Sequence, residues 1–583
     1  MNTPSCFSDA TASPVLDHPM IFGRSRLQLV PPPSSSLAGF TSLNFQGRRN
    51  WKWETFFRPF LRIESADTEI APLLAGPDRC TQTGSDYALE ITLRGPDTLE
   101  IRVRAAREMW MHLGPCGTHE NYGGLVEQEF LVFWGNSRGQ SLEGADIICR
   151  IEGSAAVLHA PGNTVDASVS GYRVKLRAGE NRFTLAAGDE AEVEALRIKA
   201  HACLQQTARV DNAGVDPVWQ TRGVAGLATV RERAIWTIAS STFEPEGRCA
   251  RPFLGACKTA YTKGSWLWDT CFAVRGYASV DPEACMDWLR LFIDHQREDG
   301  MLPGLVAPTT TASATQVPLF AWAANAVLAV REDKLFLRDA CEAARRNNDW
   351  WMTLADPACD DLPATQPISY DNSPLYDALR IEGMKARQSL VLPDTIAALV
   401  IDCDEIAAMA RRLGDTALVE RMQARRAFLA ETGHRRLYNE ETAYYFAARG
   451  GEQVKIKTGP ALTALVYAPK DVVDRMAAEY LKPGSAAWPR HGLTTMLTDQ
   501  PAYDPDNFWR GMIWGPVNRL VVDALERCGQ RDAADCLRVE TLRLFETDGH
   551  FHEVYDPVSG QGRRGMLMSG FGAGVYLDLL AGK

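Results

Sequence analysis

Acids and aromatics gather in four short stretches of this chain, and these are the side chains that could do chemistry. Trp266-Leu267-Trp268-Asp269-Thr270 sets two tryptophans beside an acid, and His295 to Gly304 carries Gln296 ahead of a Gly/Pro stop. Ser369-Tyr370-Asp371-Asn372-Ser373-Pro374-Leu375-Tyr376-Asp377 combines acids, an amide and two tyrosines, and His550 to Gly560 holds Glu553 and Tyr555. Glycoside hydrolysis needs one carboxylic acid to protonate the leaving oxygen and a second carboxylate to activate water. Indole rings suit the apolar face of a sugar. The chain has no GxxxxGK[ST] loop and no Ser or Cys nucleophile motif, which disfavours ATP-dependent and acyl-transfer chemistry.

Each stretch also has a local, purely structural explanation. Asp269 could face the backbone amides of a helix start, and Asp371 before Asn-Ser-Pro could build an Asx-turn. Glu553 could be an ordinary exposed glutamate. Most of the 295–304 signature is helix C-capping, with Gln296 the residue expected to reach a ligand. His550 and His552 are the one close histidine pair, open to metal ligation or to plain hydrogen bonding. With no HExxH and no CxxC, structural zinc is not expected, and paired carboxylates need no cofactor or catalytic metal, whereas a structural Ca²⁺ held by loop oxygens stays open.

These stretches need elements to hold them. Past about Asp216 the hydrophobic period is helical, with segments expected near 217–239, 266–278, 282–297, 318–331, 334–354, 393–412, 415–432, 459–466, 470–481, 508–527, 531–546 and 566–580. The stripe Trp509, Met512, Ile513, Pro516, Val517, Leu520, Val521, Ala524 and Leu525 supports the tenth. Twelve helices in consecutive pairs, without a local repeat, predict two nested rings whose loops line one funnel. Asp371 lies in the long connection between 354 and 393, and such connections are commonly functional.

From about Leu61 to Ala200 the period is two. Leu89, Ile91 and Leu93, then Leu99, Ile101 and Val103, alternate with polar residues around Gly95-Pro96-Asp97, predicting a half-buried antiparallel hairpin. Further strands are expected at 130–134, 147–151, 156–159, 172–176, 183–186 and 193–198. The expected fold is α+β and multidomain. It comprises a flexible N-terminal segment over 1–40, an antiparallel β-sandwich over 41–205 and an (α/α)6 toroid over 206–583, with the boundary near 202–216.

The 583 residues carry 62 Lys+Arg against 73 Asp+Glu, a net charge of −11, with 45% apolar content, so the chain is globular rather than disordered. That balance, without basic runs, argues against nucleic acid and for a small uncharged partner such as a carbohydrate. No apolar stretch is long enough for a membrane span, and the Pro31-Pro32-Pro33-Ser34-Ser35-Ser36 region does not read as a secretory signal. The 14 cysteines are scattered singly, which fits free thiols in a reducing, cytoplasmic setting. The sequence specifies no oligomeric state.

Five motifs together resemble glycoside hydrolase family 63. They are Trp268-Asp269-Thr270, the Gln296 to Pro303 segment, Asp371-Asn372-Ser373-Pro374, Phe508-Trp509-Arg510-Gly511-Met512-Ile513-Trp514, and Glu553-Val554-Tyr555-Asp556-Pro557-Val558-Ser559-Gly560. They follow that family's order and span about 220–583, and trehalases share a looser version. The resemblance implies an (α/α)6 barrel that cleaves an α-glycosidic bond with inversion, Asp371 acting as general acid and Glu553 as general base. It also implies that Asp269 holds sugar hydroxyls and that Trp509, Arg510 and Trp514 line the subsite. Trp268, Gln296, Tyr370, Asn372 and Tyr555 complete the expected substrate-binding set. Where the family often has Trp-Ser opening the last helix, this chain has Met568-Ser569-Gly570. Arg563-Arg564, after the Glu553 stretch, is either a solvated pair or an anion-binding group for a glycosylated small acid. The scaffold also admits phosphorolysis, lyase or epimerase chemistry, or carbohydrate binding without turnover.

Overall fold

The structure, a computed structural model, describes residues 13–14, 20–21, 27–30, 39–40, 42–46, 53–57, 60–67, 74–75, 79–95, 97–114, 137–151, 153–168, 171–205, 229–257, 264–364, 372–377, 390–548, 551–567 and 569–582. The chain forms two compact units. One comprises Met1–Thr242 with Cys257–Lys263, the other Phe243–Ala256 with Gly264–Lys583.

The first unit is β-rich. Tyr87–Gly95 pairs antiparallel with Thr98–Ala105, setting Leu89 opposite Val103, Ile91 opposite Ile101 and Leu93 opposite Leu99, as the alternation requires. These strands sit inside a nine-stranded sheet, beside a five-stranded and a four-stranded one. Residues 13–14, 20–21, 27–30 and 39–40, within the first forty, are strands of these sheets. The expected strand at 130–134 lies outside the described residues.

Residues 193–198 do not form the expected strand. They open helix α1, Val193–Gln205. The buried residues Leu196, Ala200 and Cys203 recur at helical spacing, and α1 packs across the strands at 98–105, 154–159 and 179–189. The hairpin is therefore more than half buried: Glu90 and Glu100, on its polar face, are 6% and 1% exposed. Glu100 is satisfied there by Arg94, Arg102 and Arg182. Helix α2, Val230–Ser240, is the described part of the helix expected over 217–239, with a reciprocal Thr229/Glu232 capping box, and residues 217–228 lie outside the described residues.

The second unit is helical. It runs α3 Leu267–Tyr277, α4 Pro282–Asp294, α5 Phe320–Val330, α6 Lys334–Met352, α7 Pro393–Leu413 and α8 Thr416–Leu437. A 3₁₀ segment, Gly459–Tyr467, precedes α9 Lys470–Tyr480, α10 Gly515–Arg527, α11 Arg531–Asp548 and α12 Gly570–Ala581. The boundaries follow local chemistry: Pro282 and Pro393 occupy first turns, where a missing N–H costs nothing, and Gly414 ends α7 at φ 75°. Among the described residues α3, α5, α7, the 3₁₀ segment, α10 and α12 pack each on the next, and α12 packs back on α3, closing a ring. Helices α4, α6, α8 and α11 each pack on two neighbouring members of it. No helix among the described residues is long and apolar enough to cross a membrane.

Ring closure depends on two glycines and a buried ion network. A Cβ on Gly276 of α3 would lie 2.1 Å from the Gly574 carbonyl oxygen of α12, so these backbones meet with no room for a side chain. Below them Asp578 Oδ2 of α12 accepts from Arg275 Nε of α3 at 3.1 Å and Arg519 Nε of α10 at 2.5 Å. The Arg275 guanidinium also stacks 4.0 Å over Trp322 of α5, whose indole N–H donates to Asp523 of α10 at 3.3 Å. Arg527 ties Asp523 to Glu405 of α7.

Two expected helices are shorter than the periodicity suggested. The 508–527 stripe is helical only from Gly515, because Pro516 fits a helix only in its first turn and Phe508 sits at φ 38°. Residues 562–567, at and before the start of the last expected helix, form a strand paired with His552–Tyr555.

Candidate active site

The helical unit gathers three of its ring elements around one aromatic cluster. Trp268 stands in the first turn of α3, whose start is fixed by Ser265–Trp266 pairing with Leu305–Val306. Its backbone N–H donates to Gln316 Oε1 at 2.9 Å. That buried glutamine, unmarked by any motif, therefore supplies a helix-start acceptor of the kind that local reasoning gave to Asp269. Asp269, half-buried on the same turn, has protein partners of its own.

Trp509 and Trp514 belong to the non-helical stretch before α10. Their rings stack at 4.4 Å, and Trp268 lies 6.3 Å from each. Phe571 of α12, which the sequence marks only as part of the apolar stripe of the last helix, stacks on Trp514 at 6.0 Å. The buried indole N–H groups of Trp268 and Trp514 have no hydrogen-bond partner among the described residues.

Two acidic segments converge on the same stretch. From one side, Asn372 Oδ1 accepts from Trp509 N at 3.0 Å, and Asn372 Nδ2 donates to Asn507 Oδ1 at 2.6 Å. Arg510 closes a second clamp five residues further on, its Nη2 reaching both Asp377 oxygens at 2.6 and 2.7 Å. Pro374–Tyr376 makes a tight 3₁₀ turn between the clamps. Asp371 and Tyr370 lie outside the described residues; Asp371 immediately precedes the clamped Asn372.

From the other side, Ile513 and Tyr555 exchange backbone hydrogen bonds at 2.9 Å in both directions. This lays the strand His552–Tyr555 beside Trp514. Glu553 falls where the pairing register shifts between His552 and Val554, and such an irregularity re-aims the side chain at that position. Its side chain is 4% exposed and has protein partners, so it is no routine surface glutamate. The turn that follows is built by Asp556, whose Oδ1 accepts from the N–H groups of Val558 and Ser559 at 2.8 and 2.7 Å, with Gly560 at φ 75°.

Three expected ligand-binding residues already serve the protein itself. Tyr555 is fully buried, its hydroxyl accepting from His552 N at 3.0 Å and its ring edge-on to Phe545. Gln296 Nε2 donates to the Gly300 and Ala343 carbonyls at 2.7 and 2.8 Å, and its oxygen accepts from Arg346 at 3.3 Å, so its amide fastens the 296–301 turn to α6. Arg510 is engaged with Asp377. Asn507, Gln316 and Phe571 are contributors that sequence reasoning did not assign to the site, and Asp377 lay in the acidic Ser369–Asp377 stretch without a role of its own. The backbone of Arg563 and Arg564 lies in the strand Gly562–Leu567. His550 lies outside the described residues, and His552 packs on Tyr555 at 5.9 Å. Every cysteine among the described residues is a free thiol.

The chain has relatives among known proteins. Residues 262–570, a little over half of the chain, match the family model described as the mannosylglycerate hydrolase MGH1-like glycoside hydrolase domain. A mannosylglycerate hydrolase of Rubrobacter radiotolerans is 25% identical over 406 residues, covering 54% of this chain and 90% of that protein. The crystal structure of a GH63 mannosylglycerate hydrolase from Thermus thermophilus in complex with glucose aligns at TM-score 0.51 and 24% identity, over 61% of this chain and 100% of that one. A bacterial glucoamylase complexed with acarbose aligns over 100% of this chain and 95% of its own, at TM-score 0.56 and 9% identity, a likeness of fold alone.

Proposed function

The chain belongs to the mannosylglycerate hydrolase MGH1-like glycoside hydrolase family, and from that premise we propose an inverting α-glycosidase with Asp371 as general acid and Glu553 as general base. Its substrate is a short α-mannoside or α-glucoside of a small solute, glycerate first among them. The carrying observation is that the Trp509–Trp514 stretch is tied to Asn372, next to Asp371, and to the strand that bears the buried Glu553. In an inverting pair the carboxyls stand roughly 6.5–9.5 Å apart, which leaves room for the attacking water. Asp371 would protonate the glycosidic oxygen while Glu553 takes a proton from water on the opposite face of the ring. The tryptophans offer stacking surface, and the unpartnered indole N–H groups of Trp268 and Trp514 are donors that sugar hydroxyls could satisfy. No step of this chemistry calls on a metal or cofactor.

The same reading takes the helical unit as an (α/α)6 toroid and the N-terminal sheets as a β-sandwich. The strand Trp53–Phe57 packs on those at 146–151 and 154–159, which supports facing sheets. Free thiols favour a cytoplasmic setting.

The test is hydrolysis of α-mannosyl and α-glucosyl glycerates and of α-linked disaccharides, with the released anomer read by NMR for wild type, Asp371→Ala and Glu553→Ala. Release of the β-anomer by wild type alone is expected. Activity surviving in both variants refutes the acid/base pair, and turnover that requires phosphate moves the chemistry to phosphorolysis.

A further inference from the structure

In the N-terminal unit, apart from the glycosidase chemistry, two imidazoles converge on one buried carboxylate. Asp146 opens the strand Asp146–Ile151, and His159, its cross-strand partner, closes Ser154–His159. His201 comes from α1. Asp146 Oδ1 lies 2.7 Å from His159 Nδ1 and 3.0 Å from His201 Nε2, and the two rings stand 3.8 Å apart. Asp146 is 1% exposed, while the His201 side chain is 43% exposed.

We propose that Asp146, His159 and His201 form a binding site for one divalent cation of the zinc class, which fastens α1 to the end of the adjacent strand pair. One nitrogen from each ring and a carboxylate oxygen all lie within 4.8 Å of one another. Zinc bonds of about 2.0–2.2 Å in tetrahedral geometry set neighbouring donors about 3.3 Å apart. The present imidazole–carboxylate separations need to open by about 0.6 Å at the partly exposed His159 and about 0.3 Å at the more exposed His201. Two imidazoles select a borderline metal over magnesium or calcium, which prefer all-oxygen shells. Water takes the fourth position on the solvent side.

Arg197 is the competing cation, its Nε donating to Asp146 Oδ2 at 2.9 Å. The same guanidinium already reaches Glu143 at 3.4 Å and Glu194 at 3.3 Å, so it can release Oδ2 without losing carboxylate partners. The site also has structural work to do. Among its described residues α1 buries Leu196, Ala200 and Cys203, a short apolar contact for a thirteen-residue helix.

The test uses the full chain, stripped with chelator and titrated with Zn²⁺ alone by calorimetry at neutral pH, and separately with Co²⁺ followed by visible absorption. One ion per chain is expected, with a rise in melting temperature and a tetrahedral Co²⁺ spectrum. His201→Gln and His159→Gln should each weaken binding by about tenfold or more. His112→Gln, at another imidazole–carboxylate pair, and Cys536→Ser, at an exposed thiol, should leave it unchanged. His201 is exposed enough that its variant keeps the fold, which circular dichroism checks. No saturable binding at micromolar Zn²⁺, or binding untouched by His201→Gln, overturns the site.

Discussion

Asp578→Asn removes a carboxylate that joins the first and last helices of the ring. In wild type Asp578 Oδ2 accepts from both Arg275 and Arg519, and the Arg519 side chain is 7% exposed. The amide keeps the shape but leaves two guanidinium groups short of an anion in a buried place. Breaking a buried pair in this way costs about 3–5 kcal/mol. The lower end applies, because Arg519 retains Asp523 at 3.8 Å and Arg275 retains its stack on Trp322. For a unit of about 330 residues the unfolding entropy is about 0.7 kcal/mol per degree, so a loss near about 3 kcal/mol should lower the melting of the helical unit by about 4–5 °C.

Arg275→Leu should cost less, since Asp578 then still has Arg519. The order of the two variants is therefore as informative as their size. The effect also has a pH signature. Burial pushes the Asp578 carboxyl up, but the Arg519 and Arg275 charges pull harder and hold it below its ordinary value. A carboxyl depressed in the folded state adds stability above its unfolded pKa, near about 4, and loses it as pH falls through the folded value. The gap between wild type and variant should thus be full at neutral pH and close in acid. Calorimetry of both variants at several pH values is the assay. A shift under one degree, the reverse order, or a gap that widens in acid would refute the closure argument.

The other predictions concern the site and the core. Asn372→Ala removes the acceptor of the Trp509 N–H and the tie to Asn507, so kcat on the active glycoside should fall by about 10²-fold, with KM and melting temperature little changed; a pure KM effect would return Asn372 to direct sugar binding. Burial pushes the Asp402 carboxyl up to about 7 against the opposing Asn348 hydrogen bond, so the folded state holds a proton that the unfolded state releases near about 4, and stability should fall as pH rises across that interval. Asp402→Asn should flatten the dependence, and an unchanged slope in denaturant melts would argue that this carboxyl is ionised in the fold. Gly276→Ala drives a methyl toward the Gly574 carbonyl, costing about 1–3 kcal/mol or more, and wild-type melting would mean that the α3–α12 contact gives way easily.

Much of the fold was legible because it rests on local periodicity. The spacing predicted 393–412 and 470–481, and the helices run Pro393–Leu413 and Lys470–Tyr480. The alternation around Gly95-Pro96-Asp97 likewise gives the strand pairing and its register. Where short apolar runs are ambiguous, periodicity misled. Val193 to Ile198 suits a strand until the spacing of Leu196, Ala200 and Cys203 is followed to its end, and the 508–527 stripe hides a turn because its apolar residues face an aromatic cluster rather than one side of a helix.

The sequence by itself determined the residue types, the order of the motifs and the division into a β-rich and a helical part, because composition and period act over neighbouring residues. Only the tertiary structure decided who meets whom. Arg510 finds Asp377 across 133 positions of chain, and Asn372 finds Trp509 across 137. Arg275 finds Asp578 across 303, and the Gly276–Gly574 approach is visible only once α3 and α12 touch. Such partners are chosen by ring closure and burial, which make an unpaired charge or amide costly wherever the chain brings it, and no local pattern records that choice.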